Sequence, residues 1–328
     1  VDRMIPRVLQ AAPETLLARD ETCFDPAALT EAAMKNEKPG GHGDRAGAVA
    51  ALELAVWDLN AKLADEPAWS WIAKATATEV ERPSVVTYAA GGYYYEEDSL
   101  VRLGQELKEY RDMGFDAFKI KIGGAALDAD MERIDVALDI AGAGERVAVD
   151  ANGRFDGETA AKYLQAMSGK QLRWFEEPFD PLDFQLLKQL AESTTIPIAT
   201  GENLFSVQDA RNLVRYGGLK PGRDLFQMDA GLSYGLTEYF KMLHMLEFEG
   251  FDRAQCFPHG GHLINLHIAA GLGLGGCEAY PGVFSPFGGF SPDCEFNGGR
   301  VVPSDASGFG LEQKPELKPY LDTLKEMF

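Results

Sequence analysis

Four carboxylates recur at nearly one interval: Asp150, Glu176, Glu202 and Asp229 stand 26, 26 and 27 residues apart, each where an apolar, strand-like run gives way to a loop. Lys121 precedes the first by 29 residues, His259 follows the last by 30, and Glu278 comes 19 later. A strand with its return helix consumes roughly this much chain, so a repeating β/α unit returns to the same end of its sheet at about that period. In a closed β/α barrel those strand ends share one rim, where chemistry collects. Three carboxylates on one rim repel one another unless a cation intervenes. Hard oxygen donors in that number, with other positions left to water or substrate, suit Mg²⁺, with Mn²⁺ as the alternative. The spacing therefore predicts a metal centre at Asp150, Glu176 and Glu202.

Each of these residues also has a plain local reading. Asp150-Ala151-Asn152-Gly153 is a good turn, Glu176-Glu177-Pro178 a helix start and Gly201-Glu202-Asn203 a cap. Only the common period turns three ordinary loops into a ligand set. Glu176 is favoured over Glu177, although periodicity alone does not choose between them; on a strand Glu176 shares its face with Trp174. Asn152 and Asn203, beside two of the ligands, are candidate substrate contacts.

Lys119 and Lys121 are two residues apart and so share a strand face. Surface lysines are common, but Phe118-Lys119-Ile120-Lys121-Ile122 lies centrally in the series, and barrel strands seldom point unpaired charge inward. With backbone sites about 7 Å apart and an effective dielectric of about 20, their repulsion is roughly 2 kcal/mol and should lower the pKa by roughly one to two. A lysine so treated, at either position, is then a candidate base. His259 sits at the expected seventh strand end, with Asp229 on the preceding one to orient its imidazole and raise its pKa. Glu278 is read either as a protonated donor to a substrate carboxylate or as an ordinary rim carboxylate, and His262 as structural. Three carboxylates, a divalent cation and a carboxylate substrate sum to −2, which Lys119 and His259 balance when protonated.

Elements that would hold these groups alternate regularly. Strands are expected at 85–90, 115–122, 146–150, 172–176, 197–200, 225–229, 253–257 and 277–280. Helices are expected at 100–111, 131–141, 158–167, 184–192, 207–214, 236–248 and 263–274. Eight strands with seven helices between them predict a parallel α/β fold, a (β/α)7β TIM-like barrel. An open doubly wound sheet is the rival, but no Gly-rich phosphate loop joins a strand to a helix. Ahead of the barrel, 46–61 reads as one helix with a cap at Asp44, and 1–38 as short helices without strands.

Composition narrows the partners. The 328 residues allow a large core, and a formal charge of −20 excludes nucleic acid and anionic membranes as partners. No apolar run approaches the ~18–20 residues that cross a bilayer. The start has no secretory pattern, and Cys23, Cys256, Cys277 and Cys294 have no metal or redox spacing. Reduced thiols and a cytoplasmic protein are expected.

Together these residues resemble the enolase superfamily, mandelate racemase-like subgroup: the Lys-x-Lys pair 119/121, Asp150, Glu176, Glu202, the Asp229/His259 dyad and Glu278. The helix Ala50–Leu59 looks like the last helix of that family's capping domain. Cys256-Phe257-Pro258-His259-Gly260-Gly261-His262 and the following 263–287 are similar to its tartrate-dehydrating members. The resemblance implies a Mg²⁺-dependent lyase that removes the proton alpha to a carboxylate and eliminates a β-hydroxyl, with D-tartrate as expected substrate and oxaloacetate as product. It implies Lys121 as base, Lys119 as its electrostatic aid and His259 as acid. It implies a partial capping domain over 1–80, a barrel over 81–297, a segment 298–328 returning to the cap, and a homo-oligomeric assembly. Family members begin with a three-stranded sheet that nothing before Ala46 resembles, and there is no initiator Met, so a chain lacking that sheet is expected. A racemase or epimerase would use the same Lys and His; a Schiff-base aldolase could use Lys119 or Lys121 without a metal, and a non-catalytic barrel would tolerate loss of Lys121 and His259.

Overall fold

The computed structural model describes residues 2–80 and 83–326. Strands β1 (Val85–Gly91), β2 (Phe118–Lys121), β3 (Val147–Asp150), β4 (Trp174–Glu176), β5 (Ile198–Thr200) and β6 (Leu225–Phe226) pair in parallel in that order. On its other side β1 pairs in parallel with β7 (Cys277–Ala279). A hairpin, β8 (Glu295–Asn297) and β9 (Arg300–Val302), adds to β1 antiparallel. Helices α1 (Met4–Leu9), α2 (Pro26–Ala33), α3 (Asp44–Leu63) and α4 (Ala68–Ala75) precede β1. The strands alternate with α5 (Ser99–Asp112), α6 (Leu127–Ala141), α7 (Gly157–Met167), α8 (Phe184–Ser193), α9 (Val207–Tyr216), α10 (Leu236–Phe248) and α11 (Leu263–Leu272). A last helix, α12 (Lys318–Glu326), closes the described chain.

Side-chain alternation explains the layers. On β2, Phe118 and Ile120 join the core shared with Leu103, Leu107 and Ile134 of the surrounding helices, so Lys119 and Lys121 take the opposite face. Inside the ring Tyr88, Ala117, Ala148, Trp174, Ala199 and Phe257 form a separate apolar plug. Tyr88 and Trp174 meet edge to face, with centroids 4.8 Å apart. That plug is the floor on which the charged rim stands.

The expected seventh strand does not form. Arg253–Gln255 is a 3₁₀ turn, tied by a capping box in which Asp252 accepts at one end and Gln255 at the other. One bridge, Phe226 to Cys256, is all that remains of a ladder there. Irregular chain still joins the two sides: Phe257 N donates to Phe226 O at 2.8 Å, and Glu278 N to Pro258 O at 3.4 Å. Pro258 has no N–H to give, and Gly260 at φ +84° turns the chain, so a regular strand stops. The architecture is the expected (β/α)7β TIM-like barrel with its seventh position irregular, accompanied by an N-terminal cap.

Residues 2–80 carry no named strand among the described residues, only a bridge between Leu17 and Phe24. The long helix begins at Asp44 and not after it; Gly43, at φ +51°, occupies the cap position. Asp44 therefore sits in the first turn, where its charge favours the helix dipole without capping it. Helix α3 docks on the barrel through buried Glu53. Its oxygens accept from Leu236 N at 2.8 Å, Thr237 N at 2.9 Å and Thr237 Oγ1 at 2.6 Å, at the start of α10. After β9 the chain returns to this helix pair, where Phe309 N donates to Asp58 Oδ1 at 2.7 Å and Ala68 N to Gly308 O at 2.7 Å. Among the described residues, no helix is long and apolar enough to cross a membrane.

Candidate active site

Strand register aligns the charged rim. Lys121 pairs with Asp150, and Asp150 with Glu176, so β2, β3 and β4 end in one row. Glu202 lies two residues beyond the end of β5 and reaches the same place. One oxygen from each of Asp150, Glu176 and Glu202 falls within 4.8 Å of the other two. Asp150 and Glu176 are fully buried and Glu202 partly so. Neighbours fix their orientation: Asn152 N donates to Asp150 Oδ1 at 2.8 Å, and Trp174 Nε1 and Gln227 Nε2 donate to Glu176 Oε2 at 2.8 and 2.7 Å. Three converging hard oxygens, two of them desolvated, are a donor set that fits a divalent cation such as Mg²⁺.

The lysines are not held as the strand spacing predicts. Lys119 is buried among three carboxylates: it bonds Glu176, lies 2.6 Å from Glu278 Oε1, and stands 3.5 Å from Asp150 Oδ2. Lys121 Nζ is 2.5 Å from Asp150 Oδ2. Burial lowers the pKa of Lys119, but Glu176 and Glu278 outweigh it and hold the group well above its ordinary value. Burial and the Lys119 charge likewise press Lys121 down, yet Asp150 and Glu176 leave it raised. The expected depression is therefore corrected: the carboxylates beside each ammonium outweigh burial and, at Lys121, the Lys119 charge as well. Those same cations hold Asp150 below the usual carboxylate range against burial, while burial, with Asp150, Glu278 and Glu202 adding like charge, pushes Glu176 up to about 8 despite Lys119.

At another edge of the triad, His259 Nε2 lies 3.6 Å from Glu202 Oε2, and its Nδ1 lies 3.6 Å from Asp229 Oδ2. Burial opposes the imidazolium, but Asp229, Glu202 and Glu278 raise its pKa to about 9. Asp229 is itself oriented by Gly231 N, which donates to Oδ1 at 2.7 Å.

Glu278 is an ion-paired carboxylate and not the protonated donor that the sequence left open. Burial raises its pKa, but Lys119 and His259 bring it below the usual value, and Gly260 N donates to its Oε2 at 3.0 Å. Asn152 is exposed at the rim in a left-handed turn. The Asn203 amide is spent on Glu177, at 3.0 Å from Oε2. His262 is structural: its Nδ1 accepts from Asn265 N at 3.3 Å and caps α11.

Sequence reasoning missed two site residues, Gln227 and Tyr280, and weighed a third, Glu177, only to set it aside. Gln227 holds Glu176, and Glu177 is buried beside Glu202 with its pKa pushed up to about 9 by burial, Glu202 and Asp150. Tyr280 places its Oη 3.1 Å from His259 Nε2. Tyr280 had a signal, since it is two residues after Glu278 and so shares its parity. Glu177 had none, because its φ of +36° breaks the alternation that would have placed it outside.

Comparison with known proteins agrees with this geometry. The profile of the Enolase C-terminal domain-like family matches residues 102–317. The chain is similar to arabinonate dehydratase of Saccharolobus solfataricus, 28% identical over 71% of this chain and 60% of that protein. It therefore spans less than two thirds of that relative's length. L-talarate/galactarate dehydratase of Salmonella typhimurium is 29% identical over 91% of this chain and 71% of its own. A crystal structure of that dehydratase with Mg and L-lyxarohydroxamate covers 87% of this chain and 69% of its own, at 27% identity and a TM-score of 0.73. A mandelate racemase/muconate lactonizing enzyme from Polaromonas sp. JS666 shares the fold, with a TM-score of 0.75 at 24% identity over 90% of this chain and 78% of its own. With the profile spanning most of the barrel and these folds superposing on it, the chain belongs to the enolase superfamily, in its mandelate racemase-like subgroup.

Proposed function

We propose that this protein is a Mg²⁺-dependent acid-sugar dehydratase, a hydro-lyase that converts a 2,3-dihydroxy acid to a 2-keto acid. One observation carries the reading: Lys121 contacts Asp150 at one edge of the carboxylate triad, while His259 approaches Glu202 at another. A substrate carboxylate seated at the triad would have a base on one side and an acid on the other.

Asp150, Glu176 and Glu202 would hold the ion. When bound, Mg²⁺ supplies positive charge that offsets the charge developing on the substrate carboxylate as the α-proton leaves. Neutral Lys121 Nζ takes the α-proton. Its ammonium is held by Asp150, so whatever competes for that carboxylate favours the free amine. Lys119, fixed among carboxylates, keeps a positive charge beneath the substrate. His259, charged because of Asp229, gives its Nε2 proton to the departing β-hydroxyl, which leaves as water. The enol product tautomerises to the keto acid. Asn152, exposed at the rim, is assigned to substrate contact.

Relatives with these names act on arabinonate, talarate and galactarate; none supplies support for D-tartrate, which enters as one member of a panel. Incubating the protein with arabinonate, talarate, galactarate and D-tartrate plus Mg²⁺ in D₂O, followed by NMR, tests the reading. A keto acid is the expected product. Inverted starting material without keto acid would make the protein a racemase or epimerase, and unchanged acids throughout would remove the dehydratase assignment.

A further inference from the structure

Tyr280, just past β7, is tied to His259 more closely than Asp229 is. Its Oη is 3.1 Å from Nε2, whereas Asp229 Oδ2 stands 3.6 Å from Nδ1, beyond hydrogen-bond length. Among the described residues, the Tyr280 contact is the one hydrogen bond made by the His259 side chain. The two rings meet edge to face at 6.3 Å and 75°. Behind Tyr280, Phe284 packs at 4.9 Å. Both, with Phe287 and Leu324, line an apolar cavity of about 560 Å³ that ends on His259 and Asp229. The phenol is thus braced on its apolar side and aimed at the imidazole on the other.

Asp229 sets the charge of His259, but a contact at 3.6 Å leaves the ring free to turn about its Cβ–Cγ bond. A phenol hydroxyl can donate to neutral Nε2 and accept from Nε2–H once the ring is charged. It therefore holds the ring at rest, and yields Nε2–H to the β-hydroxyl once a substrate is seated beside it. Burial keeps that hydroxyl protonated by pushing its pKa upward, and nearby Glu278 adds to the effect.

We propose that Tyr280 is the positioning residue of the general acid, holding His259 Nε2 at the Glu202 edge of the carboxylate triad. The kinetic consequence rests on the dehydratase reading; the hydrogen bond does not. Tyr280→Phe deletes only the hydroxyl and keeps the packing against Phe284. Elimination should fall about tenfold, the effect of losing one ordinary hydrogen bond that aligns the acid before transfer. KM should hold, as should Lys121-dependent exchange of the α-proton with D₂O.

A long-range ¹H–¹⁵N spectrum of the holoenzyme, taken without substrate, reads the imidazole directly, and the Nε2 resonance should move in the variant. Replacing Tyr280 by 3-fluorotyrosine, which retains a hydroxyl, should restore elimination. An unchanged imidazole spectrum, undiminished elimination, or elimination and exchange falling together would overturn the proposal. Should the wild-type protein dehydrate no acid sugar, the dehydratase reading falls alone, and the spectrum of the variant still decides the role of Tyr280.

Discussion

Lys119 Nζ lies 2.6 Å from Glu278 Oε1, and both side chains are fully buried beneath the barrel mouth. Their strands flank β1 on opposite sides, with Ala90 opposite Lys119 and Tyr88 opposite Glu278. The ion pair therefore crosses β1 and ties β2 to β7. Because Lys119 also faces Glu176 and Asp150, one ammonium compensates three desolvated carboxylates.

Removing it should be costly. Lys119→Met would leave Glu176 and Glu278 buried without their cation, and breaking one side of a buried pair costs about 3–5 kcal/mol. Urea denaturation should show a loss of that order at neutral pH. A loss under 1 kcal/mol would mean that the carboxylates share protons without the lysine.

Lys121→Met and His259→Asn should separate the two half-reactions. A positioned acid or base contributes about 10²–10⁴-fold, so both variants should lose dehydration by that order. Lys121→Met should also lose α-proton exchange with D₂O, while His259→Asn should keep it. Exchange at the wild-type rate in Lys121→Met would show that another group is the base.

Metal binding should stabilise the fold, because the ion binds the assembled triad and not the unfolded chain. At 100 times Kd the gain is about 2.7 kcal/mol, so Mg²⁺ should raise the melting temperature and EDTA should lower it again. Glu202→Gln removes one charged donor without a large change in volume. Its melting temperature should respond little to Mg²⁺ at concentrations that shift the wild type. An equal shift in both would exclude Glu202 as a ligand.

How much of this was legible follows from what a single strand encodes. Strand ends recur with the length of a β/α unit, so Asp150, Glu176 and Glu202 could be brought together by counting. Alternation put Lys119 and Lys121 on one face and Trp174 beneath Glu176. The misses have two causes, contacts distant in sequence and local turns that override the pattern. Lys121 is raised and not lowered because Asp150 lies across the ladder. The seventh strand fails because Asp252 and Gln255 close a local turn on each other. The boundary at Gly43 escaped because a residue at positive φ took the cap position that Asp44 would otherwise favour. Helix α11 ends at Leu272, two residues short of expectation, where Gly273 turns left-handed at φ +64°.

The pH dependence should carry the signature of His259. Burial lowers its pKa, but Asp229, Glu202 and Glu278 raise it to about 9 in the fold, against about 6.5 when unfolded. A raised histidine stabilises the fold fully below its unfolded pKa, and that contribution is lost as pH rises through the folded value. Without metal, stability in urea should therefore decline between about pH 6.5 and 9, by about 3 kcal/mol at most. His259→Asn should flatten this decline. In the reaction the imidazolium is the acid, so dehydration should fade on the alkaline side as His259 loses the proton that Asp229 helps to hold. Asp229→Asn removes the largest contribution holding the proton and should move that limb to lower pH while reducing kcat. If the limb stays in place in Asp229→Asn, the proton given to the leaving hydroxyl comes from some group other than His259.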